Sequence, residues 1–155
     1  MQIHLITVGN RITSWVQQGY EGYAKRMHRE CELILREIAP GKRFKHSDVP
    51  RLVNEEGRRM LAAIPKDSHV VALDPAGRQW STRELSDALD GWQQKGAAVS
   101  LLVGGPEGLS DACRSRADQA WSLSKLTFPH PLVRVIVAEQ LYRSWSLLRN
   151  HPYHR

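Results

Sequence analysis

Cysteine is scarce in this 155-residue chain. The two present, Cys31 and Cys113, share no short metal-binding spacing and read as ordinary semi-buried residues, so neither a disulfide scaffold nor a metal centre is expected. Long apolar runs are missing too, and with no stretch approaching about 18 residues a membrane-spanning helix is excluded. The opening residues lack the order of a secretory signal, which makes the cytoplasm the expected location. Acidic side chains are outnumbered, 16 against 22 Lys and Arg, leaving a net charge of +6 and a pI near 9.7. Such a chain suits a polyanion, because basic groups attract phosphates and release their counterions. No repeat, linker or low-complexity stretch interrupts it.

What is present suffices for one domain over residues 1–155, since 41% of the residues are hydrophobic and a core of that size needs no staple. The basic excess lies early: residues 1–66 hold 12 Lys and Arg against 7 Asp and Glu, and residues 67–155 hold 10 against 9. Lys42, Arg43 and Lys45, after the breaker Pro40-Gly41, form its densest cluster and the expected phosphate contact.

Apolar runs and helical periodicity alternate along the chain. Residues 3–8, 31–38, 69–74 and 98–103 read as strands, and the third is expected to end in the turn Asp74-Pro75-Ala76-Gly77. Residues 121–128 read as a fifth extended segment. Helices are predicted over 14–27, after an Asp48 cap, from a Ser81/Glu84 capping box to Lys95, over 110–117 and over 132–148. The order calls for an α/β fold, a mostly parallel sheet with helices on both faces, whose ligands bind beyond the carboxyl ends of the strands. The last helix is apolar nearly all round, and the cover it needs is assigned to a second copy, giving a homodimer.

Three segments carry chemistry. Gly104-Gly105-Pro106-Glu107-Gly108 follows the most apolar strand and lets backbone turn sharply beside a ligand. It matches neither the G-x-G-x-x-G fingerprint nor the G-x-x-x-x-G-K-[ST] loop, and a purely structural turn is the alternative. Residues 123–131 set small and apolar side chains before Pro129-His130-Pro131, the makings of an adenine-sized slot. There His130 reads first as a structural hydrogen-bonding group and second as a base. The terminus Asn150-His151-Pro152-Tyr153-His154-Arg155 offers an imidazole, a stacking ring and a guanidinium suited to an RNA base. His151 and His154 lack the acidic or Cys partners a metal would need. Glu139 either pairs with Arg143 at i+4 or enters a site. The five tryptophans are read as mostly core, with Trp80 a candidate to stack on a base.

Several of these segments together resemble one family. Residues 100–110 (SLLVGGPEGLS), Trp121-Ser122-Leu123-Ser124, residues 129–135 (PHPLVRV), Ala138-Glu139, Leu141-Tyr142-Arg143 and residues 150–155 (NHPYHR) are similar to the large-subunit ribosomal RNA methyltransferase H family. So are Trp15-Val16-Gln17 and residues 39–43. That family is a branch of the SPOUT methyltransferases. The resemblance implies a C-terminal trefoil knot, S-adenosyl-L-methionine (SAM) as cofactor, and methylation of N3 of a pseudouridine in the helix 69 loop of 23S rRNA within the ribosome. It implies cofactor contacts at Leu73, Gly104, Gly105, Leu123, Ser124, Lys125, Leu126, Thr127 and Phe128. It also implies that the partner subunit's tail completes the site, which places Tyr153, His154 and Arg155 in the catalytic set, to which the chemistry adds Arg143.

On this reading His154, or a water it orients, accepts the N3 proton, Arg155 and Tyr153 hold the nucleotide, and Arg143 steadies the developing anion. Two rivals come from other classes. One is a non-catalytic RNA-binding or ribosome-assembly protein with the same fold, and the other a nucleotide-dependent enzyme, disfavoured by the missing phosphate-loop residues.

Overall fold

In a computed structural model, residues 1–9, 12–27 and 29–154 are described. Five strands form one sheet: β1 (Gln2–Val8), β2 (Glu32–Ile38), β3 (His69–Gln79), β4 (Val99–Val103) and β5 (Gln119–Ser122). All pair in parallel, in the order β2-β1-β4-β3-β5. Parallel strands covered on both faces need apolar side chains in both directions, and β1 and β4 supply them. Leu5 lies opposite Leu35 on one side and Leu101 on the other.

Alternate residues feed two cores, as the period of a strand requires. Ile3, Leu5, Val71, Leu101 and Val103 pack with α1 (Ser14–Ala24), α3 (Thr82–Lys95) and α5 (His130–Leu148). On the other face Ile6, Val8, Val70, Ala72 and Leu102 join Met60 of α2 (Val49–Ala63) and Cys113 of α4 (Asp111–Arg116).

Local signals explain most helix starts. Asp48 accepts the Arg51 N–H at 3.2 Å with Pro50 in the first turn of α2. Ser81 and Glu84 form both bonds of the capping box, and left-handed Gly96 ends α3.

Four expectations need correction. The third strand does not stop at residue 74. Leu73 and Arg78 both lie opposite Trp121, so residues 74–77 loop out as a bulge and the strand resumes. Gly77 permits this, since a Cβ there would stand 2.6 Å from the Ala120 carbonyl carbon and 2.7 Å from the Trp121 nitrogen.

The fifth strand stops at Ser122, and residues 123–129 form a loop rather than extended structure. Its turn is closed by hydroxyls: Ser122 Oγ donates to the Ser124 carbonyl at 3.1 Å, and the Leu126 N–H donates to Ser124 Oγ at 3.0 Å. The last helix starts at His130 rather than at the expected residue 132, and takes in Pro131, because a missing N–H is unneeded in a first turn. Finally, Val137, Ala138, Leu141, Tyr142 and Trp145 of α5 are buried within their own chain, against α1 and α3 among others. Much of the cover assigned to a second copy is therefore internal, while Val133, Val135 and Ile136 stay only partly buried.

Candidate cofactor site

Beyond the carboxyl ends of β3, β4 and β5 lies a cavity of ≈ 480 Å³, within the range of small-molecule and cofactor sites. Three loops wall it. The β3 bulge contributes Leu73, Asp74, Pro75 and Ala76, the turn after β4 contributes residues 104–108, and the loop after β5 contributes Leu123, Ser124, Leu126, Thr127 and Phe128. Trp121, His130 and Val133 complete the apolar side.

The glycine turn is shaped by close contact. The Gly108 N–H donates to the Gly105 carbonyl at 3.0 Å, and Gly108 takes a left-handed φ of 82°. A Cβ on Gly104 would sit 2.5 Å from the Gly108 oxygen and 2.7 Å from the Leu109 nitrogen, so the turn folds back on itself only if residue 104 has no side chain.

The last part of this turn and the helix cap that follows it are both tied to α2. Arg43 donates from Nε to Glu107 at 3.0 and 3.1 Å and from its terminal nitrogens to Glu56 at 3.0 and 3.1 Å. Glu56 is buried, and it also accepts the Gly41 N–H at 2.9 Å. At the far end Ser110, the cap of α4, presses on Gly57, where a Cβ would meet Ser110 Cβ at 2.8 Å.

Charge in the pocket is arranged in pairs. Asp74 accepts the Ala76 N–H at 2.9 Å and Arg114 Nε at 2.7 Å, and these bonds hold its carboxyl below the usual carboxylate range against the opposing effect of burial. The bond from Arg43 does the same for Glu107. The His130 imidazole is pushed down, first by burial and then by Arg134 and Arg43, which favours its neutral form.

A second cluster lies at the C-terminal end of α5. Glu139 accepts from Arg143 at 2.6 and 2.9 Å and from the Tyr153 hydroxyl at 3.1 Å, while the Arg143 guanidinium stands 5.2 Å from the Tyr153 ring centroid. Burial, then contacts with Tyr23 and Glu139, push the Tyr153 phenol up, so it is a donor rather than a base at neutral pH. Ten residues of helix separate Val133 from Arg143, about 15 Å along the axis. Within one chain the tail cluster and the cavity are separate.

A family model described as "Predicted SPOUT methyltransferase" matches residues 1–154. The chain belongs to the SPOUT methyltransferase family. Among its relatives, a protein of Methylococcus capsulatus called ribosomal RNA large subunit methyltransferase H is 62% identical over 155 residues, covering all of both chains. Its namesake in Thioalkalivibrio sulfidiphilus is 63% identical over all of this chain and 99% of its own. Two more distant structures share the fold. One, a "methylase family protein from Haemophilus influenzae Rd KW20", has TM-score 0.57 at 13% identity, with 99% of this chain and 70% of that one covered. The other, a Legionella pneumophila chain solved "in complex with the bound cofactor SAM", has TM-score 0.52 at 7% identity, with 94% and 66% covered.

In this SPOUT methyltransferase the cavity gathers Leu73, Gly104, Gly105, Leu123, Ser124, Leu126, Thr127 and Phe128, and leaves Lys125 outside its lining. Lys42 and Lys45 are exposed on the loop before α2, whereas Arg43 is turned inward to its two carboxylates. Arg143 and Tyr153 are together, with Glu139 between them. Arg155 and the side chain of His154 lie outside the described residues. Trp80 is packed against Trp121 and Trp92, with centroids 5.3 and 6.3 Å apart, rather than offered to a base. Trp15 is 62% exposed and so not core. Among the described residues no group of His, Cys, Asp and Glu could hold a metal, and no helix is long and apolar enough to cross a membrane.

Sequence reasoning marked the 104–108 turn and the loop after Leu73 as ligand-side segments but singled out none of Asp74, Pro75, Ala76, Arg114 and Val133 as lining residues. Arg114 and Val133 come from helices, where no local signal tells a cavity-facing side chain from any other.

Proposed function

We propose that this chain transfers the methyl group of S-adenosyl-L-methionine to N3 of a pseudouridine in the helix 69 loop of 23S rRNA. It acts in the cytoplasm as a homodimer, with the segment after β4 tied in a trefoil knot. One observation carries the reading: loops from three strand ends, far apart in sequence, enclose a single cofactor-sized cavity around a turn that tolerates no side chain at Gly104. The names borne by the full-length relatives favour ribosomal RNA as substrate.

The residues present suit this cofactor. Leu73, Leu123, Leu126 and Phe128 offer apolar surface for an adenine, and the backbone around Gly104 and Gly105 allows close approach. Lys125 stands in the same loop, between the lining residues Ser124 and Leu126. When bound, the cofactor supplies a methyl group already activated on a sulfonium.

The chain must then align the nucleotide and take up the N3 proton. His154, or a water it orients, accepts that proton. Tyr153 and Arg155 hold the nucleotide, while Arg143, held charged by Glu139, faces the developing anion. Because Arg143 and Tyr153 line no part of this chain's own cavity, these groups serve the partner subunit's cavity. Lys42 and Lys45 meet RNA phosphates from the exposed loop.

Mass spectrometry of rRNA fragments after incubating ribosomes with the chain and isotopically labelled cofactor tests reaction and position together. One labelled methyl on one helix 69 pseudouridine is expected. An unlabelled helix 69, in the presence of folded protein, would refute the assignment.

A further inference from the structure

Arg43 sits in sequence between two exposed lysines, yet its guanidinium is fully occupied. Nε donates twice to Glu107, one terminal nitrogen donates to Glu107 at 2.6 Å and Glu56 at 3.0 Å, and the other donates to Glu56 at 3.1 Å and the Gly41 carbonyl at 2.9 Å. No nitrogen is left over for a phosphate. Glu56 is 3% exposed, and a buried carboxylate stripped of its cation is costly, so the α2 side of this arrangement is fixed. Glu107 is the outward side, and it belongs to the turn that lines the cavity. The missing Cβ of Gly105 lets that turn lie against Val8 and the guanidinium, at 3.2 and 3.9 Å from where the Cβ would be.

We infer that Arg43 is a positioning residue that staples the Gly104–Gly108 turn to α2 in the shape that receives the cofactor, and that it is not an RNA contact. The inference rests on the cavity being the cofactor site. A planar fork is required, because one cation must bind two carboxylates and a carbonyl at once. Lysine, with a single nitrogen, cannot replace it.

The test uses Arg43→Lys, Glu107→Gln and the double variant in the full chain. Glu107→Gln leaves the Arg43–Glu56 pair intact, so it separates the staple from folding. Calorimetric titration with S-adenosylmethionine should show each single variant weakened about tenfold. The double variant should be no weaker than the worse single, because both break one connection. Ribosome affinity and its salt dependence should stay as in the wild type. Hydrogen exchange of the Gly108 amide in the free Glu107→Gln chain should accelerate.

If Arg43→Lys loses ribosome affinity while cofactor affinity holds, Arg43 is an RNA contact and the inference is overturned. Additive losses in the double variant overturn it too. If the wild-type chain binds no cofactor, the functional reading fails, and exchange alone decides the staple: an unchanged Gly108 amide refutes it.

Discussion

Replacing Gly104 by alanine should cost this protein its cofactor before its fold. The added Cβ would lie about 0.9 Å inside ordinary contact with the Gly108 oxygen, with the Leu109 nitrogen nearly as close. Both are backbone atoms in a turn closed by its own hydrogen bond and tied at Glu107 and Ser110, so no flexible tip can swing aside. Overpacking of this kind costs about 1–3 kcal/mol. If the turn keeps its shape, that strain appears as a Tm lowered by roughly 2–12 °C. If the turn yields, cofactor affinity falls by about 10- to 100-fold. Gly105→Ala is the milder comparison, because its Cβ would meet side chains rather than backbone, Val8 at 3.2 Å and Arg43 at 3.9 Å. Titration calorimetry with S-adenosylmethionine beside thermal unfolding reads both quantities. A Gly104→Ala chain matching the wild type in both, or one less affected than Gly105→Ala, would refute the reasoning.

The separation of tail and cavity predicts that mixed dimers, one subunit carrying Gly104→Ala and the other lacking residues 150–155, regain about half the wild-type methylation. Silent mixed dimers would mean that each tail serves its own pocket. For Asp74, whose carboxyl is held low in the folded state by the Ala76 N–H and Arg114, the linked stability is present above the unfolded carboxylate value and lost as pH falls through the folded one. The Tm advantage of wild type over Asp74→Asn should shrink from about pH 6 to about pH 3, and an advantage that grows on acidification contradicts the assignment. Cys31 is fully buried and its thiol is pushed up to about 12 by that burial, so a disulfide reagent at neutral pH should modify it only as fast as the chain unfolds. Rapid stoichiometric labelling of Cys31 in the native state would show that it is accessible.

Features governed by neighbours in sequence were the legible ones. Asp48 and the Ser81/Glu84 pair act within one turn, so their identities fix helix starts wherever the helices end up. The apolar strands likewise required a sheet covered on both faces. Residues 121–128 misled because the alternation of Trp121, Leu123, Leu126 and Phe128 lines a cavity, so that the apolar surface does not need a neighbouring strand. Nothing near residue 74 foretold that β3 would resume, since that depends on Gly77 meeting Ala120 across the sheet. Arg43 looked like its lysine neighbours because its second carboxylate lies 64 residues on. For α5, all-round apolarity was correctly tied to burial, but α1 and α3 supply much of the cover that a second copy had been assigned.

Glu56 and Gly57 are consecutive in α2, yet one reaches Glu107 of the cavity-lining turn through Arg43 and the other supports the chain just past that turn at Ser110. A single turn of a helix on the opposite flank thus works as the jig on which the pocket floor is bent. Drift in the packing of α2 would change cofactor grip without altering one lining residue, so variants that tune this enzyme are to be sought on that outer helix as much as in the pocket.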